Sequence, residues 1–425
     1  YLKDRYSNPI SAYRRFFTDL SKDEKVNLEL KKSSLENYSK LTKQSETDKD
    51  EIALHELIIA KGDYLFSVFR ARYGDVEFNT LLDEFIEKNK HRSFSLIEFD
   101  KMMQERFGES IIEDVNQWYY GQNLPGFMVK DLETYKIRVD EYTKYQIKFK
   151  IANPETTDGI VTINIDLYDP NNSDNNSDDP PDFTKKIFIP AGTAKEIGFV
   201  FATEPVRMNL YTHISLNLPN NLIYDLESFS ETRKVEVFDD IKDCEVFDNI
   251  LVDGEIIVDN EDSLFEYSQS DKVSYLKKLV DKKKENEYEY SGIRFWNPPP
   301  GWRQVLRSGF YGKYIRSAIY TKSGSDEKKA TWNGPIEKEG YYDVYCHIEK
   351  INLNWRNRQT KKADYNFSVH HEGGIDNIHL TDGDVENGWN YLGTYYITPS
   401  TAKVEFSNKS VGSMVFADAV KWVEN

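Results

Sequence analysis

Apolar residues early in the chain recur at intervals of three and four. Leu65, Phe66, Phe69 and Tyr73 form one such set, and Phe78, Leu81, Leu82, Phe85 and Ile86 a second. Phe99, Met102, Met103 and Phe107 form a third. That spacing puts each set on one helix face, so three short amphipathic helices are predicted within residues 58–125. Gly74 and Gly108 stand where glycine ends a helix, and Ser95 with Glu98 makes a capping box. Tyr13, Phe16, Phe17 and Leu20 predict one more helix upstream. Residues 21–50 are charged and read as a solvated helix–loop excursion or, alternatively, a lid over a substrate.

After Pro125 the period changes to two. Stretches 135–139, 145–151, 161–167, 187–189 and 194–201 alternate polar and apolar residues, which predicts an antiparallel sandwich. Between them, the acidic and amide-rich run 169–182 reads as a solvated hairpin loop, with Ca²⁺ ligation as the alternative. A second set of strands, rich in Tyr and Trp, begins at Glu255. The expected fold class is α+β multidomain: an α-helical bundle followed by two antiparallel β-sandwiches. The expected divisions are 1–129 helical, 130–232 small sandwich, 233–254 linker and 255–425 second sandwich, with a helical insertion near 268–290.

Composition narrows the function classes. A chain of 425 residues needs two or three domains, and its 14% aromatic content fits Tyr-rich β structure. With 55 basic and 72 acidic residues the net charge is −17. That excludes nucleic acid as a partner and disfavours an anionic membrane surface, since no basic excess displaces counterions. No apolar run reaches the roughly 20 residues of a transmembrane segment. The first residues, Tyr-Leu-Lys-Asp-Arg, carry no signal peptide, and the expectation is a chain taken from inside a longer precursor. Cys244 and Cys346 lie far apart in sequence, which leaves a disulfide between them open.

Two resemblances refine this. A Lys61-Gly62 helix start, an aromatic-rich helix closing at Tyr73-Gly74-Asp75, Ser93-Phe94-Ser95-Leu96 and an exit from Gln117-Trp118 to Leu124-Pro125 occur in that order. They resemble the M1 family of gluzincin aminopeptidases, over residues 1–226. Phe188-Ile-Pro-Ala-Gly-Thr and Asn217-Leu-Pro resemble the post-catalytic sandwich of such peptidases in Bacteroidetes-type proteins. The resemblance implies that this block follows a zinc site. The chain itself has neither H-E-x-x-H nor G-x-M-E-N: His55-Glu56 has no histidine four residues after His55. Ile59 occupies the position of the family's transition-state tyrosine, and an aliphatic side chain cannot donate to an oxyanion. As given, the chain has no catalytic residues, and zinc is expected only if an upstream peptidase half exists.

From Glu255 the order Gly301-Trp, Phe310-Tyr-Gly, Ala330-Thr-Trp, Gly340-Tyr-Tyr, Gly388-Trp-Asn-Tyr and Phe416-Ala-Asp-Ala-Val resembles the golvesin C-terminal domain. The resemblance implies a carbohydrate-binding-like β-sandwich. Its ligand-binding candidates are Trp296 and Trp302, in a Pro-rich loop, and Trp355, in a basic loop. Trp332, Trp389 and Trp422 are expected in the core. Asp382, Asp384 and Glu386 are Ca²⁺ candidates, although Asp-Gly also suits a hairpin turn. His370 and His371, adjacent on a strand, point to opposite faces and cannot share an ion. Asp418 is expected as a buried structural carboxylate held by backbone N–H groups. The function expected is the non-catalytic C-terminal portion of a secreted or cell-surface M1-like metallopeptidase. Its partner would be a surface glycan or an envelope protein, and its location extracytoplasmic: periplasmic, outer-membrane surface or secreted. The alternative is a non-catalytic binding or scaffold component of a cell-envelope assembly.

Overall fold

The computed structural model describes residues 20, 22–37, 48–139, 141–168, 181–226, 229–231, 236–248, 254–268, 289–351 and 363–425. The helix expected over the first residues, most of the acidic loop, the centre of the insertion and Trp355 lie outside them. The chain divides into two compact units, Lys22–Asp248 and Asn249–Asn425.

Helices open the first unit: α1 (Lys22–Lys32), α2 (Asp48–Tyr73), α3 (Asp75–Lys88), α4 (Leu96–Phe107) and α5 (Ile112–Tyr120). Ser95 caps α4 reciprocally with Glu98, and Gly108 ends it in the left-handed conformation. Phe69, Phe78, Leu81, Phe85, Phe99 and Met103 meet in one buried cluster among α2, α3 and α4. The excursion expected at 21–50 is not fully solvated. Val26 and Leu30 of α1, and Leu35 just after it, are buried with Leu57 and Tyr64 of α2 and with Ile160 and Ile214.

Those helices cover one face of a sheet with the order β4 (Phe183–Ile189), β3 (Gly159–Leu167), β6 (Pro205–Tyr211) and β7 (Asn221–Asp225). Its other face packs on a second sheet with the order β8 (Ser230–Glu231), β1 (Met128–Val139), β2 (Tyr142–Asn153), β5 (Thr193–Phe201) and β9 (Ile241–Cys244). Strand β3 is therefore sandwiched twice. Val161, Ile163 and Ile165 enter the sandwich core while Ile160 faces the helices. Within the stretch expected as a linker, β9 pairs with β5 and so closes this sheet. Arg72 ties the layers together: its guanidinium lies 3.0 Å from Asp114 of α5 and 2.6 Å from Asp158, which precedes β3.

The second unit holds three sheets. One has the order β10 (Glu255–Val258), β22 (Val420–Glu424), β16 (Gly340–Ile348) and β19 (Gly388–Ile397). Facing it is β11 (Phe265–Tyr267), β15 (Lys329–Asn333), β20 (Lys403–Ser407), β17 (Asp364–His371) and β18 (Gly374–Thr381). Between these two lies the main core, with Trp332 and Trp422 fully buried. A third sheet is formed by β12 (Tyr290–Ser291), β13 (Arg303–Leu306), β14 (Ser317–Lys322) and β21 (Met414–Ala417), over a smaller core. Cys244 and Cys346 are free thiols, and burial pushes the Cys346 thiol up. Among the described residues, no helix is long and apolar enough to cross a membrane.

Replacing Arg72 with Met leaves two half-buried carboxylates without their cation, at a cost of about 2 kcal/mol. The far-UV circular dichroism transition of R72M in urea is expected at lower denaturant. Tryptophan fluorescence, with Trp118 the one tryptophan of the first unit, is expected to hold its midpoint.

Candidate functional site

Strand β16 alternates. Tyr342, Val344, Cys346 and Ile348 enter the core, which leaves Tyr341, Asp343, Tyr345 and His347 on the opposite face. Its neighbour β19 matches that row through an irregularity. Tyr345 pairs with Tyr391 and Val344 with Gly393, so Leu392 is an extra residue opposite β16. Gly393 takes φ +147°, and a Cβ there would lie 2.6 Å from the Tyr395 hydroxyl. This bulge shifts the phase of the strand. Trp389 and Tyr391 face outward before it, and Thr394 and Tyr396 after it, while Asn390, Leu392 and Ile397 stay inside.

Three ring pairs result. Tyr341 meets Tyr396 at 5.2 Å, Tyr345 meets Tyr391 at 5.4 Å, and His347 meets Trp389 at 5.0 Å. Tyr341 is 60% exposed and Tyr391 52%, so both offer ring surface to a ligand. Lys421 of β22 sits over the Trp389 ring at 4.8 Å and is paired with Glu255 at 2.7 Å. A short polar relay runs between the rings. The Tyr391 hydroxyl lies 2.6 Å from Thr394 Oγ1, which in turn donates to Asp343 Oδ1.

The row ends at a polar corner. Asp418 occupies the turn from β21 to β22, is 3% exposed, and lies 2.7 Å from His347 Nδ1. It also accepts from the Tyr311 N–H at 3.1 Å, and Trp332 Nε1 donates to its backbone carbonyl at 3.1 Å. Gly312, with φ +145°, lets the β13–β14 loop bring Tyr311 there; a Cβ would clash with the Ile315 carbonyl oxygen. The Tyr311 ring lies 5.3 Å from Trp389 and 5.9 Å from His347. Burial, together with Asp259, Glu255, Asp262 and Asp418, raises the Tyr311 phenol, so it stays neutral.

Two further acids crowd this corner. Burial and then the neighbouring Asp418 push the Asp259 carboxyl well above the usual carboxylate range. Asp418 is also raised by burial, but His347, the Tyr311 N–H and Arg316 favour its ionised form. Of the two acids, Asp259 thus holds the proton. Arg307 Nε donates to Glu349 Oε1, while Glu349 Oε2 is buried with no partner among the described residues. Burial raises the Glu349 carboxyl, with Arg307 opposing.

Residues 300–424 match the Golvesin C-terminal domain. No curated protein matches the chain. Among solved structures, Paenibacillus xanthan lyase is similar at 15% identity and a TM-score of 0.28, over 71% of this chain and 25% of that one. A Bacteroides uniformis beta-glucuronidase is similar at 12% identity and a TM-score of 0.18, over 71% and 30%. The chain thus spans under a third of either structure's length, and TM-scores this low do not establish a common fold.

Several sequence expectations change. Trp296 is 71% exposed, as a ligand-binding candidate requires. Trp302 is not available: it is 4% exposed and belongs to the main core. The Pro-rich loop folds back, its Pro299 carbonyl accepting from Lys322 N–H and Thr321 Oγ1, and Trp302 packs inward. Trp389, expected in the core, lies instead on the outer face. The Ca²⁺ candidates do not gather around a common point. Asp384 accepts from the Thr381 N–H and hydroxyl, and the Lys350 ammonium takes the carbonyls of Asp382 and Val385. The backbone N–H of Glu386 donates to Asn390 Oδ1, which closes the turn. Among the described residues no group of three acids, histidines or cysteines is placed to hold a metal. His370 approaches Glu405 and His371 approaches Asp376, on opposite sides of β17.

An acid with a raised folded-state pKa binds a proton that the unfolded chain has already lost. It therefore lowers stability progressively as pH rises above about 4. Asp259→Asn is neutral throughout. It is expected to unfold about 1–2 kcal/mol later than wild type at pH 7 and at the same midpoint near pH 3.5. Thermal unfolding at the two pH values checks this.

Proposed function

We propose that the second sandwich is a non-catalytic glycan-binding module of an extracytoplasmic protein, docking through the outer face of β16 and β19. The observation that carries this reading is the row of ring pairs on the outer face of β16 and β19, with Tyr341 and Tyr391 more than half exposed. Sugar rings present C–H patches that stack on such aromatic faces, and their hydroxyls need acceptors nearby. Tyr341 and Tyr391 supply stacking surface, and Asp343 supplies an acceptor. The match to the Golvesin C-terminal domain agrees with a surface-binding role. The exposed Trp296 is a separate, lone aromatic, and its contribution would be smaller.

A second reading concerns the rest of the chain. The helices α2 to α5 lead directly into a β-sandwich, the order expected after the zinc-binding part of an M1-like peptidase. In that reading the chain is the C-terminal portion of such a protein, zinc is held upstream, and Ile59 weakens transition-state stabilisation. In either case this chain contributes binding and scaffolding, with an envelope protein as the competing partner class.

Affinity electrophoresis of the whole chain through gels containing neutral or acidic polysaccharides tests the proposal. Retardation by at least one polysaccharide is expected. Tyr391→Ala is expected to weaken it at least tenfold, about 1.4 kcal/mol, and Trp296→Ala less than threefold. Unchanged retardation of the Tyr391→Ala variant would rule out this face.

A further inference from the structure

The aromatic face also sets a length for its ligand, an inference that rests on the glycan-binding reading. Tyr341 and Tyr391 are the most exposed rings of the row, at 60% and 52%. They stand at different levels of it. Tyr391 pairs with Tyr345, four residues beyond Tyr341 on β16. At a rise of about 3.3 Å per residue, the two rings spring from levels about 13 Å apart along the strands. A single sugar ring cannot lie on both.

Between them lies a polar step. Asp343 is half-buried and pairs with the exposed Thr394, whose hydroxyl donates to its carboxyl. Tyr391 and Thr394 are three residues apart, a spacing that puts side chains on opposite faces of a regular strand. The extra Leu392 returns both to the outer face, where the Tyr391 hydroxyl lies 2.6 Å from Thr394 Oγ1. That contact lays the phenol along the strand instead of letting it stand off the sheet, so the ring is held ready for a ligand. Taken along the strands, the face presents a ring, a polar group and a second ring.

Two stacking contacts with a polar step between them suit a chain of sugars laid along β16 and β19. The first contact tethers the ligand, and the second then forms within the complex at a high effective concentration. That gain comes only with a ligand long enough to span both rings, and further length adds little. Hydroxyls of the intervening units meet Thr394 and Asp343. We propose that this face recognises an internal run of a linear glycan, with Tyr341 and Tyr391 stacking on non-adjacent sugars, rather than a single or terminal sugar.

Isothermal titration calorimetry on the whole chain tests this with cello-, manno- and galacturono-oligosaccharides of two to six units. Wild type is expected to bind the hexamer of at least one series at least tenfold more tightly than its dimer, with the rise complete before six units. A dimer occupies one ring, so Tyr341→Ala and Tyr391→Ala are each expected to change its affinity by no more than about twofold. On the hexamer each is expected to cost at least fivefold, which removes most of the length advantage. Both side chains are more than half exposed, so neither truncation opens the core. Equal affinity of wild type for dimer and hexamer would overturn the inference while leaving glycan binding intact. So would a full length advantage in Tyr341→Ala. Where the oligosaccharides bind too weakly to titrate, the polysaccharide gels decide. Tyr341→Ala is expected to lose retardation as Tyr391→Ala does, and retardation of Tyr341→Ala equal to wild type overturns the two-ring site. If no oligosaccharide or polysaccharide binds, or Tyr391→Ala behaves as wild type throughout, the glycan reading falls and the inference falls with it.

Discussion

A buried carboxylate at a turn can organise a fold when donors from separate elements converge on it, as they do on Asp418. Its side chain accepts from the backbone of the β13–β14 loop and pairs with the imidazole at the end of β16. Its carbonyl takes the indole N–H of Trp332 on β15. The turn it occupies is where the chain leaves the small third sheet and enters the aromatic one. Two sheets, a core tryptophan and the end of the aromatic row are therefore positioned by one residue. Removing that carboxylate would leave two donors, the Tyr311 N–H and His347 Nδ1, without their acceptor, a larger disturbance than the loss of one hydrogen bond.

That dependence explains why chemistry and packing share one corner. The third sheet brings Tyr311 and Arg307, β16 brings His347 and Glu349, and the end of β10 brings Asp259. None of these residues is near its partners in sequence. A protonated Asp259 next to an ionised Asp418 lets two acids share a small buried volume.

Much of the secondary structure was legible from spacing. The three-and-four rhythm at Phe69, Phe78 and Phe99 marks real helix faces, and the Ser95–Glu98 capping box is present as two reciprocal hydrogen bonds. Strands with strict alternation, such as residues 161–167, were equally readable. Burial of α1 was not, because Val26 and Leu30 are diluted by Lys and Glu and acquire meaning only against Leu57 and Ile160. The aromatic face was legible in composition but not in place. Alternation assigns Trp389 a side only once its partner strand is known, and an inserted Leu392 is invisible without the pairing. Trp302 failed for the converse reason: a Pro-rich loop looks exposed, and the backbone bonds of Pro299 that fold it inward are long-range. The lysine that takes the carbonyls of the Asp-Gly turn lies 32 residues before Asp382, so no local motif announces it.

The bulge in β19 has a consequence beyond aiming side chains. β19 is the last strand of its sheet, so its outer row of N–H and C=O groups faces no neighbour within that sheet. A straight, aromatic strand in that position would be a template for a second molecule to extend the sheet edge to edge. The extra residue breaks the regular repeat of those groups. The same irregularity that gathers the rings on one face thereby interrupts a border open to edge-to-edge self-association, on a sheet that carries many tyrosines.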